Sequence, residues 1–397
     1  MTALSRPALR ARLLSFASAP MPGARGGPGQ ETARNPWTSD LLFYNITPSL
    51  VPKGRLMSHL NSVALAFVSG AALLVSTGAS FAQDTAYPLT VQNCGREVVF
   101  EAAPRSVVSI GQSMTEILYL LGLADRVVGT ALWIGPVLPG FEAVNEGIDR
   151  LADDDPSFES VVDRRPDLVT AQFEWHVGPA GIVATPGQFA ELGIQTYLSP
   201  ADCTGKDNSD GGDGMRREPF TMALIHQEVR ELAAIFDVRE EGERVVADLV
   251  RREEQAKARI ADLAGEVSAV FWFSSADLAI DPYVAGTHGA PGYIMETLGV
   301  TNVIDSPEEW PTVGWETIVR SDPTILVLGE MQRRRYPADD IAVKRRFLAE
   351  DPVAGLMEAV EEDRIVVMDA QAMNPTIRTI EGIEVLAEGL SRAGLSR

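Results

Sequence analysis

Residues 104–129 read PRSVVSIGQSMTEILYLLGLADRVVG and predict a strand, a turn, a helix, a second turn and a second strand. Residues 106–110 form a short β-branched run, which is typical of a buried parallel strand. Ser113 followed by Glu116 fits a capping box, so we expect the helix to begin there, and Gly122 ends it. This right-handed βαβ unit predicts an α/β domain built on a mostly parallel sheet.

The first turn of this unit is a candidate ligand site. Residues 111–114 follow a strand and precede a helix, and open α/β sheets bind ligands at that edge. We therefore predict that Gln112 and Ser113 contact a ligand.

The alternation of strands and helices continues in two blocks, which predicts an α/β protein of two lobes. Two segments match across the blocks, because both read as an aromatic residue and Glu, a short helix, Pro and a buried strand: residues 156–169 and 313–327. Such an internal repeat indicates that the two lobes are similar in structure.

A helix without Gly or Pro is predicted between the lobes, so the connection is stiff rather than a flexible linker. Residues 204–217 before it form an Asp- and Gly-rich insert, whose spacing does not fit a calcium loop and whose role stays open. The predicted division is a leader at 1–56, a signal peptide at 57–82, an N-terminal lobe at 83–217, an interdomain helix at 218–238 and a C-terminal lobe at 239–397.

The N-terminal region differs from the rest of the chain. Residues 1–56 are rich in Pro, Gly, Ser and Arg, and we interpret them as mis-called upstream sequence, which would include most of residues 1–50, or as a disordered leader. Residues 63–75 are an apolar run too short for a comfortable transmembrane helix, followed by small residues before Ala82. This pattern predicts a secretory signal cut near Ala82 and a periplasmic protein, with an uncleaved apolar anchor as the alternative.

The charge of the chain is strongly negative, with 34 basic and 55 acidic residues and a net charge of −21. Removing residues 1–82 takes away 7 basic and 2 acidic side chains and leaves 27 and 53, a net charge of −26. Such a surface repels nucleic acid and anionic membranes, so neither is an expected partner.

The cysteine pair, Cys94 and Cys203, is predicted to form a disulfide, because an even count in an exported protein favours one. Free buried thiols are the alternative. Neither cysteine has a His or Cys at metal-ligand spacing, so no metal site is predicted there.

The sequence resembles the substrate-binding proteins of ABC importers for iron–siderophore, haem and cobalamin, the class with a rigid helical hinge. The resemblance covers about residues 89–393 and is carried by PRSVVSIGQSMTEIL at 104–118, SFESVVDRRPDLV at 157–169 and VGWETIVRSDP at 313–323. It implies two α/β lobes, a backbone helix and one ligand in the cleft between the lobes. The cysteine pair and the 204–217 insert depart from the family pattern.

The resemblance also implies partners. The protein is expected to be a monomer that captures a metal chelate, first of all an iron–siderophore complex, and delivers it to an ABC permease dimer in the inner membrane. A Glu on each lobe docks on the permease in this family, and those positions here are Glu159 and Glu316. No resident cofactor is expected.

The candidate cleft residues follow predicted strands or lie near the last helix. Aromatic walls suit flat or bulky chelates. Arg378 can pair with a carboxylate or a ligand anion. His176 can bind metal or hydrogen-bond a chelate. For each candidate residue in this paragraph, an ordinary structural role is the alternative. The predicted ligand-binding residues are Gln112, Ser113, Trp133, Glu174, Trp175, His176, Trp272, Tyr283, Trp310 and Arg378.

Other functions have less support in the sequence. A haem or cobalamin binder of the same class fits the same motifs. A binder of free metal ions would need three or four His, Asp or Glu ligands, and the segment after residue 82 holds only His176, His226 and His288. A secreted α/β enzyme is the remaining alternative, but no hydrolase, zinc-protease, P-loop or dinucleotide motif is present.

Overall fold

A computed structural model describes residues 84–209, 214–260 and 262–396 of the chain. All of these residues belong to one compact unit. The predicted leader and signal peptide, residues 1–82, lie outside the described residues. Among the described helices, none combines the length and the apolar character that crossing a membrane requires.

The N-terminal lobe is a five-stranded parallel sheet with helices on it and a hairpin at its edge. The strand order is β5-β4-β3-β6-β7, and every pairing in this sheet is parallel. The elements are β1 (Leu89–Asn93), β2 (Arg96–Phe100), β3 (Val107–Ile110), α1 (Gln112–Leu120), β4 (Val127–Ala131), α2 (Glu142–Glu146), β5 (Arg150–Ala152), α3 (Phe158–Val162), β6 (Leu168–Ala171), α4 (Glu174–Val177), α5 (Pro186–Glu191) and β7 (Gln195–Leu198).

The start of α1 differs from the predicted capping box. Gly111 is the N-cap, at φ 132°, and no side chain caps this helix. A Cβ at Gly111 would lie 2.3 Å from the Cβ of Gln172, so only glycine fits between β3 and β6. Ser113 and Glu116 are instead turned toward the other lobe, where both find partners.

The connection between the lobes contains two helices, one at the predicted interdomain position 218–238 and a second directly after it. It begins with the short strands β8 (Lys206–Asp207) and β9 (Met215–Arg216), which pair antiparallel, and continues as α6 (Met222–Ile235) and α7 (Arg239–Arg259). Asp237 adopts a positive φ of 60° in the tight turn between the two helices. Arg230 and Glu243 then face each other across an antiparallel hairpin.

The C-terminal lobe repeats the architecture with a sheet of order β11-β10-β13-β14, in which only the edge strand β11 is antiparallel and β12 also pairs with β10. The elements are β10 (Ser268–Ser274), β11 (Tyr283–Val284), α8 (Ala290–Thr297), β12 (Thr301–Asn302), α9 (Trp315–Ser321), β13 (Ile325–Glu330), α10 (Ile341–Glu350), α11 (Glu358–Glu361), β14 (Ile365–Asp369) and α12 (Thr379–Arg392).

The last helix, α12, has Arg378 as its N-cap residue. Asn374 lies before the helix, and its side chain donates to the carbonyl of Ala370.

The repeat seen in the sequence is a structural repeat. Helices α3 and α9 end just before residues with positive φ, Arg165 and Asp322, each followed by a proline and a buried strand. Glu159 and Glu316 occupy the first turns of these two helices, and both are exposed. The prediction of two similar α/β lobes is therefore confirmed.

One apolar cluster runs through both lobes. It includes Ile117 of α1, Ile225 of α6, Leu249 of α7 and Ile383 of α12, all buried. Each lobe also has a smaller cluster of its own on the other face of its sheet. Because α6 and α7 belong to the shared core, the connection is part of the packed body of the molecule.

Candidate ligand-binding site

The deepest contact between the lobes is an ion pair between Glu116 of α1 and Arg378 at the start of α12. Arg378 Nε donates to Glu116 Oε2 at 2.8 Å, its Nη2 also contacts Glu116 Oε1, and Nη2 donates to the carbonyl of Pro136 at 2.6 Å. Both side chains are buried. Burial raises the pKa of the Glu116 carboxyl, and the Arg378 guanidinium opposes that rise.

Gln112 and Ser113 take part in the same lobe-to-lobe contact. Gln112 Oε1 accepts from the backbone N–H groups of Ile134 and Gly135, each at 3.1 Å, and from Gln371 Nε2 of the C-terminal lobe at 3.4 Å. Ser113 Oγ accepts from the N–H of Ile377 at 3.2 Å. The structure thus places Gln112, Ser113 and Arg378 together, but their polar atoms bind protein groups at the floor of the cleft.

Beside this floor lies a cavity of about 260 Å³ between the lobes. It is lined mainly by C-terminal residues at the carboxyl ends of β10 and β13, with Ile134 from the N-terminal lobe. The lining residues are Ile134, Phe273, Ser274, Tyr283, Trp310, Met331, Arg333, Arg335, Tyr336 and Asp339. Tyr283 and Trp310 are the predicted aromatic residues that reach it.

The wall of the cavity is aromatic. Phe273 and Trp310 lie with ring centroids 4.4 Å apart and planes tilted by 33°. Ile134, Met331 and Ala370 form a small apolar cluster across the lobes, against which Phe273 packs.

Two arginines at the mouth of the cavity contact the N-terminal lobe. Arg333 Nη1 and Arg335 Nη2 both contact Asp154 Oδ1, and the N–H of Arg333 donates to the carbonyl of Ile134 at 3.0 Å. Arg333 Nε is buried and has no hydrogen-bond partner within the described part of the chain. This guanidinium therefore keeps one unpaired N–H, close to the cavity but out of contact with solvent.

A buried polar cluster supports the cavity from below. Asp339 Oδ2 accepts from the backbone N–H groups of Arg335 at 2.7 Å and Tyr336 at 2.8 Å, while its Oδ1 accepts from Ser274 Oγ. The Lys344 ammonium donates to the carbonyls of Phe273 and Gly329, each at 2.5 Å.

Lys344 is fully buried in this cluster. Burial lowers the pKa of Lys344 to about 7, and the charges of Asp339 and Glu330 oppose the fall. These hydrogen bonds fix the carboxyl ends of β10 and β13, from which the cavity wall extends.

Sequence reasoning missed Arg333, Arg335, Asp339 and Lys344. The three consecutive arginines at 333–335, directly after the buried strand β13, were the available signal, because they stand at a strand's carboxyl end.

Two tryptophans predicted for the cleft lie in the cores of the lobes instead. Trp133 is buried, with its Nε1 donating to Thr130 Oγ1 at 3.2 Å and the Arg150 guanidinium 4.9 Å from its ring. Trp272 is also buried, and its ring meets Trp315 of α9 edge to face at 4.8 Å. Alternate residues of β10 point to opposite faces of the sheet, so Phe273 rather than Trp272 faces the cavity.

The predicted residues of α4 lie in the N-terminal lobe and do not line this cavity. Trp175 stacks on Phe173 at 4.2 Å, and Glu174 Oε2 accepts from Asn208 at 2.6 Å. His176 Nε2 lies 2.9 Å from Asp155 Oδ1. Burial lowers the pKa of His176, and Asp155 opposes the fall.

These geometric features define a class of protein with two α/β lobes, a packed helical connection and, between the lobes, an open aromatic cavity with arginines at its mouth. Comparison with known families gives the same class. Residues 107–372 match the model of the periplasmic binding protein family, which covers more than half of the chain. The chain belongs to the periplasmic binding protein family.

Individual relatives are distant. The chain is 22% identical over 310 residues to an uncharacterized ABC transporter substrate-binding lipoprotein, YvrC, of Bacillus subtilis, covering 77% of this chain and 86% of the relative. An ABC-type Fe3+-hydroxamate transport system protein from Saccharomonospora viridis has a similar structure, with TM-score 0.61, 24% identity and coverage of 77% and 99%. A periplasmic heme binding protein from Pseudomonas aeruginosa is similar with TM-score 0.56, 16% identity and coverage of 74% and 94%.

Proposed function

We propose that this protein is the extracytoplasmic substrate-binding component of an ABC importer. In this proposal it captures a metal chelate between its lobes, an iron–siderophore complex being the first candidate, and delivers it to a permease dimer. The family supports binding rather than catalysis. The relatives named above, an ABC substrate-binding lipoprotein and binders of Fe3+-hydroxamate and heme, support the importer and the chelate.

The observation that carries the choice of ligand is the pairing of an aromatic wall with the Arg333 guanidinium. Rings such as Phe273 and Trp310 give apolar contact to a bulky ligand, and guanidinium donors suit the oxygen-rich, anionic edge of a ferric chelate. The Arg333 Nε group is buried without a partner, and in this proposal it turns toward an anionic oxygen of the ligand when the Arg333 side chain moves.

The volume of the cavity bears on how a chelate enters. About 260 Å³ lies just below the range of pockets for drug-sized ligands, roughly 300–1,000 Å³. We propose that the Arg333 and Arg335 contacts to Asp154 open when a whole chelate enters. We propose that the loop of residues 331–336 moves while the lobes keep their relative position.

Export and docking complete the proposal. A signal peptide cut near Ala82 would release a periplasmic monomer. Glu159 and Glu316, exposed on matching helices of the two lobes, would engage basic pockets on the permease.

The test is a binding titration of the protein purified without residues 1–82. Tryptophan fluorescence and calorimetry are the two readouts of binding. The probes are ferric desferrioxamine B, haemin, cyanocobalamin and free Fe3+. We expect the ferric hydroxamate to bind. We expect Arg333→Met to weaken that binding by roughly tenfold or more, since hydrogen bonds to charged groups contribute about 1.5–3 kcal/mol.

Arg126→Met is the matched control, because Arg126 is a half-exposed residue of the N-terminal lobe that lies 3.7 Å from its neighbour Asp125 and does not line the cavity. If haemin or cyanocobalamin alone binds tightly, that compound takes the place of the iron–siderophore complex as the proposed ligand. Absence of binding to every chelate would overturn the proposal.

A further inference from the structure

The insert before the helical connection reaches across to the other lobe. Its strands β8 and β9 lie next to Cys203, which is disulfide-bonded to Cys94 of the edge hairpin. The carbonyl of Arg216 on β9 lies 3.3 Å from His288 Nδ1 of the C-terminal lobe.

Arg216 forms the main polar bridge from this insert. Its side chain is buried, and its Nη2 donates to the carbonyl of Ala201 in the N-terminal lobe at 2.6 Å. Its Nε donates to Oε1 of Glu309 in the C-terminal lobe at 2.9 Å. Lys206 Nζ lies 3.4 Å from the other oxygen of Glu309. The buried carboxylate of Glu309 thus receives two cationic groups from the opposite lobe.

Glu309 directly precedes Trp310, which forms part of the cavity wall. The backbone on both sides of this pair is also held, because the carbonyl of Glu309 accepts from Gly286 N–H at 3.1 Å and the N–H of Val284 donates to Pro311 at 3.0 Å. The Trp310 ring therefore belongs to a segment that is held by backbone hydrogen bonds within the C-terminal lobe and by the Glu309 side chain to the other lobe.

A buried ion pair of this kind is poor evidence for a stability role. Removing two charges from water costs much of what their attraction contributes, and apolar replacements of such pairs are often as stable. What the pair does provide is a fixed geometry, since the guanidinium fork holds Glu309 and Ala201 in one arrangement.

We propose that Arg216 is a positioning residue for ligand binding, which acts through Glu309 to hold the Trp310 wall of the cavity. The inference rests on the proposed function, because it assigns the insert a part in the same site. The insert, a departure from the family pattern, then contributes to which chelates fit.

The experiment measures the dissociation constant and the dissociation rate of ferric desferrioxamine B with Arg216→Met, Glu309→Gln and the double variant. We expect each single variant to bind roughly tenfold more weakly, mainly through faster release. We expect the double variant to bind about as weakly as either single one, because both remove the same link. Arg216→Lys, which keeps the charge but not the fork, should fall between wild type and Arg216→Met.

Glu243→Gln is the matched control, since it breaks the bidentate Arg230–Glu243 pair between α6 and α7, far from the cavity. A merely structural role of Arg216 would lower the melting temperature without changing the release rate of the ligand. That result would overturn the inference. Should Arg216→Met not fold, Glu309→Gln and Arg216→Lys carry the same test.

The two proposals fail in different ways. If wild type binds ferric desferrioxamine B and Arg333→Met weakens it, but the Arg216 and Glu309 variants bind like wild type, only the inference about the insert is wrong. If wild type binds none of the chelates, the proposed function fails and this inference fails with it.

Discussion

At the scale of single residues, Glu228 of α6 carries a clear consequence for pH. Its carboxyl is fully buried, accepts from Ser199 Oγ at 2.5 Å, and leaves its Oε1 without a partner among the described residues. Burial raises the pKa of Glu228 to about 8, with the neighbouring charge of Glu231 adding to the rise. At neutral pH the folded protein therefore keeps this carboxyl protonated.

We predict that Glu228 makes the protein less stable as pH rises. The carboxyl ionises near pH 4.3 in the unfolded chain but only near 8 in the folded one, so stability falls between those values by about 1.4 kcal/mol per pH unit. Urea unfolding of wild type and Glu228→Gln at pH 5 and pH 7.5 measures it. The free energy of unfolding of wild type should exceed that of Glu228→Gln at pH 5, and this difference should shrink or reverse at pH 7.5.

Two controls accompany this measurement. The low pKa of Lys344 affects wild type and variant alike and cancels in their difference. Glu97→Gln, on the exposed face of β2, should show the same pH dependence as wild type. Parallel curves for wild type and Glu228→Gln would contradict the prediction.

At the scale of elements, the hairpin β1–β2 is held to the end of β7 by side chains and a covalent bond. Asn93 donates to the carbonyl of Leu198 and accepts from its N–H, both at 2.8 Å. The next residue, Cys94, forms the disulfide to Cys203, 109 residues further along the chain. The edge hairpin, the first sheet and the insert are thereby joined.

We predict that reducing this disulfide lowers the free energy of unfolding by about 4–5 kcal/mol, because the cross-link closes a loop of 109 residues in the unfolded chain. Guanidinium unfolding with and without reductant gives the difference, and Cys94→Ala/Cys203→Ala should match the reduced protein. Intact mass after alkylation without reductant supplies the check. Two alkylated thiols in the native protein would contradict the bond itself.

At the scale of the whole molecule, the lobes share a core and several buried polar contacts. The helices α6 and α7 pack into the cluster that includes both lobes, and Glu116–Arg378 and Arg216–Glu309 bridge the lobes at separate places. Large rotation of the lobes would break these contacts together.

We therefore predict that ligand binding leaves the radius of gyration unchanged within error in small-angle X-ray scattering. In the proposed opening of the mouth, only the loop of residues 331–336 moves. As a comparison, the double variant Glu116→Gln/Arg378→Met lacks the buried ion pair between the lobes. Its scattering should show a wider range of lobe arrangements than that of wild type. A large compaction of wild type on adding ferric desferrioxamine B would contradict a rigid body.

Docking on a transporter is a prediction about the outer surface. Glu159 and Glu316 are exposed, and each lies in the first turn of a short helix, where a carboxylate also interacts well with the helix dipole. That local effect explains either residue alone but not their matching places on both lobes. We predict that Glu159→Ala and Glu316→Ala retain folding and ligand affinity but lower transport-coupled ATP hydrolysis, and that the double change lowers it further.

The measurement requires the protein together with its permease and ATPase in proteoliposomes. Glu191→Ala, an exposed carboxylate on α5, is the control and should stimulate ATP hydrolysis like wild type. If both single variants stimulate ATP hydrolysis like wild type, the docking role of Glu159 and Glu316 is wrong. Loss of ligand binding in either would place that residue in the cleft instead.

The sequence by itself determined the local structure and its order along the chain. Short β-branched runs bounded by Gly and Pro predicted strands such as β3 and β6, because a buried strand needs a continuous apolar run. The repeated Glu, short helix, Pro and strand at 156–169 and 313–327 predicted two similar lobes, since each feature depends on neighbours within a few residues.

Only the tertiary structure decided which side chains meet. Ser113 and Glu116 fit a cap by spacing, yet their partners Ile377 and Arg378 lie 264 and 262 residues away. Likewise Phe273 reaches the cavity and Trp272 does not, because the packing of the sheet against α9 and α10 decides which face is covered. Contacts across lobes depend on the folded arrangement of distant segments, and no local pattern in the chain encodes them.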